Sequence, residues 1–302
     1  MSIITSIASV TMLAQTARTA VPYVLASQGG VWSERSGVVN VALEGMMLAG
    51  GLASVAVAHD HGPALGIVAA LAVGAALGAL HAIITEWGRI DAIVSGVAIN
   101  IVALGGTRVV MRALYQSSSN SPSMTGFEAY GGGIVGRVVF DPLFAAALGA
   151  VVATAVALRV TRFGLRVRAC GEGPRAARAA GIAVVRTRVI AVAIGGALAA
   201  LGGAALAYDE HQFQSGMSGG RGFIALAAVV LSGWRAGRAA ALCVVFAALD
   251  ALQVVLQGHA RALQDMVQML PFIAALLALA LLSRNRGHAG APPAGLGTNA
   301  TE

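Results

Sequence analysis

Nine mostly apolar stretches recur along this chain of 302 residues, and all but the seventh are long enough, at roughly 20 residues, to cross the hydrocarbon core of a bilayer as a helix. They fall near 5–31, 37–58, 63–84, 91–113, 139–160, 188–208, 222–233, 238–257 and 266–283. Only 11% of the residues are charged, too few to coat so much apolar surface in water. The expected fold is therefore an all-α polytopic membrane protein with about 8–10 transmembrane helices. The first stretch is interrupted by Arg18, and its N-terminus lacks a basic region, so it reads as a retained span rather than a cleaved signal peptide. The seventh is short and can be a broken or re-entrant piece. The tail 284–302, rich in Gly, Pro and Ala, reads as disordered and cytoplasmic, after a transmembrane domain spanning 1–283.

All 20 basic residues are arginine. Without a lysine the chain cannot build a P-loop, so any ATP chemistry belongs to a partner. Fourteen of the arginines fall in loops on the side of the C-terminus, eight of them between 159 and 188, and six fall on the other side. This imbalance places the C-terminus in the cytoplasm. It orients the protein and implies no nucleic acid. Two cysteines, Cys170 and Cys243, and the pair His59/His61 in a polar HDHGP turn indicate no metal site or cofactor.

Two spans carry periodic small residues: Gly66, Ala70, Gly74, Gly78 and Ala82 on the third, and Gly195, Ala199 and Gly203 on the sixth. Such stripes allow close helix contact, in transporters and in other membrane bundles alike. The second apolar run hides Asn40 and Glu44, four residues apart. If the helix begins at Ser36, Glu44 lies about 12 Å into the membrane and shares a face with Asn40. An ionisable group there faces the bundle interior or water. Asn100 adds an amide on the fourth span. These three residues either line a path for a neutral, hydroxyl-rich solute or satisfy the backbone of a broken or neighbouring helix. His81 and Asp250 are weaker candidates of the same kind.

The inner loop 161–188 contains GEGPRAARAAGI. Pro174 suits a first helical position and Gly181 the residue past the end. Between them Arg175 and Arg178 share a face, and Ala176, Ala177, Ala180 and Ile182 offer a small apolar one. A helix of this kind fits a partner's groove or lies on anionic lipid.

Three stretches, SERSGVVNVALEGMML (33–48), FGLRVRACGEGPRAARAAGI (163–182) and GRGFIALAAVVLSGW (220–234), make the chain resemble permease subunits of ABC importers of the branched-chain/ribose type. It is most similar to the nucleoside branch, which works with basic-membrane-protein-like lipoproteins. The chain departs from the usual pattern at Ala42-Leu43 and at Gly173, which leaves the loop helix without a side-chain cap. The resemblance implies a non-enzymatic subunit of the bacterial inner membrane carrying a nucleoside or simple sugar. It implies that Gly173 to Gly181 form the coupling helix that docks on a cytoplasmic ATP-binding cassette ATPase. It also implies a second permease subunit and an external solute-binding lipoprotein. The alternative is an ion-coupled secondary transporter using Glu44 and Asp250.

Overall fold

The computed structural model describes residues 10–124, 126–127, 141–257, 269, 273–274, 276–277, 280 and 291–298. Ten helices form among them: α1 (Val10–Arg35), α2 (Leu43–His61), α3 (Pro63–Glu86), α4 (Ala92–Tyr115), α5 (Pro142–Val160), α6 (Arg162–Glu172), α7 (Pro174–Ala179), α8 (Val184–Asp209), α9 (Arg221–Leu231) and α10 (Ala236–Gln257). Five of them, α3, α4, α5, α8 and α10, are long and apolar enough to cross a membrane. The chain is a polytopic all-α membrane protein. The expected ninth span, 266–283, lies largely outside the described residues.

The bundle is arranged by polarity. α1 and α8 form its centre, and α1 is buried continuously from Ala20 to Glu34. That burial explains why α1 can carry Ser27, Gln28, Ser33 and Glu34, groups that lipid would not accept. α3, α4, α5 and α10 surround this centre and turn apolar side chains outward, among them Val68, Ile101, Val152 and Val245. Arg18 does not break the first span. α1 runs straight past it, and Arg18 pairs with Asp209 at the end of α8.

Both small-residue stripes lie at helix contacts. On α3, a Cβ at Gly74 would strike the Gly196 carbonyl of α8, and one at Gly78 the Val192 carbonyl. On the other side of α8, Gly195 meets Gly29 of α1 and Gly203 meets the Met47 carbonyl of α2. α8 is thus held against three helices at backbone-to-backbone distance, which raises the dispersion energy where no hydrophobic drive exists between helices in lipid.

Three boundaries differ from expectation. His59, Asp60 and His61 form the last turn of α2, and the turn itself is Gly62. The run 37–58 is not one helix, because residues 36–42 are irregular and α2 begins at Leu43. Asn40 and Glu44 therefore do not share a helical face, and a depth counted at helical rise does not apply to Glu44. Gly37, with φ of 101°, turns the chain out of α1, and Val38, Val39 and Val41 favour extended backbone. Finally, part of the tail expected to be disordered is seated: within residues 291–298 the Gly295 and Gly297 N–H groups bond to the carbonyls of Gly171 and Gly37.

Candidate functional site

Irregular backbone inside a membrane bundle needs a partner for each buried N–H and C=O, because unsatisfied groups there cost several kcal/mol. The break 36–42 finds those partners on four helices. Asn40 is fully buried; its Nδ2 donates to Ser33 Oγ (2.9 Å) and its Oδ1 accepts from the Ala42 N–H (3.1 Å). His81 on α3 sits between Ser95 Oγ (2.9 Å) and the Val39 carbonyl (3.0 Å), so Nε2 carries the proton that reaches that carbonyl. Asn100 on α4 uses both ends of its amide: Oδ1 accepts from the Gly45 N–H (2.8 Å) and Nδ2 donates to the Val41 carbonyl (2.9 Å). Arg188 on α8 donates through Nε to the Ser36 carbonyl (3.0 Å).

Glu44, in the first turn of α2, has a different duty. Its Oε1 accepts from Ser218 Oγ (2.5 Å) and the Gly220 N–H (2.8 Å), and its Oε2 from the Gly222 N–H (2.8 Å). This carboxylate is the anion at the N-terminus of the 11-residue half-helix α9, where free N–H groups and the helix dipole favour negative charge. Gly220 adopts φ of 85°, and a Cβ on Gly222 would lie 2.6 Å from the Glu44 nitrogen, so both glycines are required by the approach. The far end of α9 returns to the same stretch. Trp234 Nε1 donates to the Glu34 carboxylate, and Arg35 Nε donates to the Trp234 carbonyl (3.0 Å).

The three sequence stretches singled out above therefore meet. Residues 33–48 form the break, and residues 220–234 form the half-helix fastened to it at Glu44 and Glu34. Residues 163–182 form the helix pair α6–α7, fastened by Arg188 Nη2 to the Cys170 carbonyl (3.2 Å) and by Arg35 to Glu172 (3.6 Å). Arg188 is the hub. It is wholly buried and pairs with buried Glu86 of α3 at 2.6 Å.

Sequence reasoning found Asn40, Glu44, Asn100 and His81 but missed Glu34, Glu86, Ser218 and Arg188. Arg188 was hidden among the loop arginines as an orientation signal. The signal that could have found it is its place within the apolar sixth span. Asp250, a weaker candidate, accepts from Arg221 Nη2 (3.1 Å) and Tyr23 Oη (3.3 Å). Beside it a cavity of about 260 Å³ opens at the N-terminus of α9, lined by Arg18, Asp209, Gln214, Arg221, Asp250 and Gln253 among others. Its walls offer both donors and acceptors.

In the loop 161–188, α7 runs over Pro174–Ala179 with Gly181 at φ of 80° beyond it. Ala177 turns inward, packed with Cys170 and Val184. The exposed face carries Arg175, Ala176, Arg178 and Ala180 instead. Ala177 is therefore not on the surface that a partner could touch.

Residues 12–276 match the family described as branched-chain amino acid transport system / permease component, and the chain belongs to that family. It is 35% identical over 253 residues to the guanosine ABC transporter permease protein NupQ of Bacillus subtilis, covering 78% of this chain and 79% of that one. The nucleoside ABC transporter permease protein NupC of Lactococcus lactis is 33% identical over 298 residues, 90% and 91% of the two chains. The putative glucose ABC transporter permease protein TsgC13 of Haloferax volcanii is 36% identical over 266 residues, 83% and 79%.

Proposed function

We propose, starting from that family membership, that the chain is the membrane subunit of an ABC importer in a bacterial inner membrane, carrying a nucleoside or a simple sugar. The observation that supports this reading most directly is a helix break and a half-helix facing each other inside an apolar bundle, joined through Glu44. Broken helices of this kind occur at membrane depth where they are buried in protein or line a cavity. Asn40, Glu44 and Asn100 hold the wall of the solute path at this junction, and the polar cavity beside Arg221 and Asp250 is its external approach. Its paired charges sum to little net charge and present hydroxyl-matching groups, which suits a neutral solute.

Hydrolysis of ATP falls to a cytoplasmic cassette ATPase docked on the exposed face of α7. A second permease subunit and an external solute-binding lipoprotein complete the assembly. An ion-coupled transporter would need Glu44 or Asp250 free to load a cation, and both carboxylates are engaged. The test is purification from native membranes followed by reconstitution. We expect a cassette ATPase to copurify and tritiated guanosine uptake to require ATP and to be competed by other nucleosides. Uptake that persists without ATP and follows an imposed cation gradient would refute the reading.

A further inference from the structure

The C-terminal segment 291–298, APPAGLGT, is held at the joint between α6, α7 and the helix break. The Gly295 N–H donates to the Gly171 carbonyl (2.8 Å), at the last turn of α6. Two residues on, the Gly297 N–H donates to the Gly37 carbonyl (2.9 Å), at the start of the break. The Thr298 carbonyl accepts from Arg188 Nη1 (2.6 Å), the same guanidinium that bonds Ser36, Cys170 and Glu86. Leu296 packs on the cluster containing Val31 and Trp32 of α1, and Pro293 and Gly295 are buried. The fit at Gly295 is tight: a Cβ there would lie 2.8 Å from Pro174 Cδ, the first residue of α7, and 2.9 Å from the Gly171 carbonyl.

We propose that this segment is a strap that transmits movement of α7 to the helix break, with Gly295 and Arg188 as positioning residues; the inference rests on reading α7 as the cassette-docking helix. α7 is six residues long, and its chain link to the bundle runs through Gly173 at one end and Gly181 at the other. Two glycine joints let a short helix pivot without moving what lies beyond them. The strap removes that freedom. It bonds α6 on one side of the Gly173 joint, touches Pro174 on the other, and bonds Gly37 of the break. Arg188 gathers the strap end, the α6 end and the break onto one rigid cation. Displacement of α7 is thereby carried into residues 36–42, and from there through Glu44 to α9.

The experiment compares three variants in proteoliposomes holding the complete importer: deletion of residues 291–302, Gly295→Val and Ala176→Trp. Three quantities are read: cassette retained on purification, ATP hydrolysed, and uptake of a mixture of tritiated guanosine, adenosine, cytidine and glucose. For the deletion and Gly295→Val we expect the cassette to be retained and uptake per ATP to fall fivefold or more. Ala176→Trp should release the cassette. The strap is refuted if Gly295→Val keeps uptake per ATP within twofold of the wild type while Ala176→Trp releases the cassette; Gly295→Val decides alone if the deletion fails to assemble. Should Ala176→Trp leave both cassette and uptake intact, the docking reading of α7 fails, and with it the route through α7.

Discussion

Glu44→Ala tests whether one carboxylate holds the half-helix in place. The change removes three accepted hydrogen bonds and leaves the Gly220 and Gly222 N–H groups without an acceptor. A buried donor left unsatisfied costs about 1–3 kcal/mol, so the two together cost about 2–6 kcal/mol. At about 2 °C per kcal/mol for a chain of this size, the melting temperature should fall by about 4–12 °C. Glu44→Gln keeps one oxygen, enough for Ser218 and Gly220, and turns an amide N–H₂ towards the Gly222 N–H. It loses one acceptor, so its fall should be about half as large. The assay is thermal unfolding of the detergent-solubilised subunit, followed by size-exclusion chromatography, with uptake measured in parallel. If Glu44→Ala melts within about 1 °C of the wild type, or Glu44→Gln falls as far as Glu44→Ala, the capping argument is wrong.

Arg188→Met removes the cation paired with the buried Glu86 carboxylate and should cost about 3–5 kcal/mol, whereas adding Glu86→Leu should recover much of the loss; melting temperatures of the single and double variants check this. A cysteine at Arg175 should react with membrane-impermeant maleimide only from the cytoplasmic side, and one at the exposed Ser118 only from outside; labelling of both from one side would overturn the topology. Burial pushes the Cys170 thiol above its ordinary range, with nearby Arg188 opposing, so thiolate is scarce near neutral pH. Maleimide modification of Cys170 in the folded subunit should be slow at pH 7 and accelerate as pH rises, read by mass spectrometry of the labelled peptide.

Much of the bundle was legible because lipid imposes one rule on length and apolarity. The third span was expected at 63–84 and runs over Pro63–Glu86; the eighth was expected at 238–257 and runs over Ala236–Gln257. The break at 36–42 was not legible, since extended and helical backbone are equally apolar when both are buried, and periodicity is silent in a run that is apolar on every side. Nor could sequence pair Glu44 with Ser218 or Trp234 with Glu34, contacts between residues at least 174 positions apart. The inward turn of Ala177 escaped for a related reason. In a helix of alanines nothing marks which face meets its own bundle, and the packing of Ala177 with Cys170 and Val184 decides it.

The packing of duties around the break has a consequence for specificity. One irregular segment of seven residues takes up Ser33, Asn40, His81, Asn100 and Arg188, and the half-helix opposite takes up Glu44 and Glu34. Each of these side chains already satisfies a buried backbone group or aromatic N–H, so a substitution there removes support from the fold before it alters contact with a solute. A residue that distinguishes one solute from another must be able to change without that cost. Gln214 and Gln253, on the wall of the cavity beside α9, carry polar ends with no side-chain duty among the contacts that hold the break. Exchanging Gln253 for Leu should therefore leave the melting temperature within about 1 °C, in the range usual for substitutions away from structural features. The same exchange should shift the competition order among tritiated solutes. An unchanged order would remove this cavity from the solute path while leaving the architecture of the break untouched.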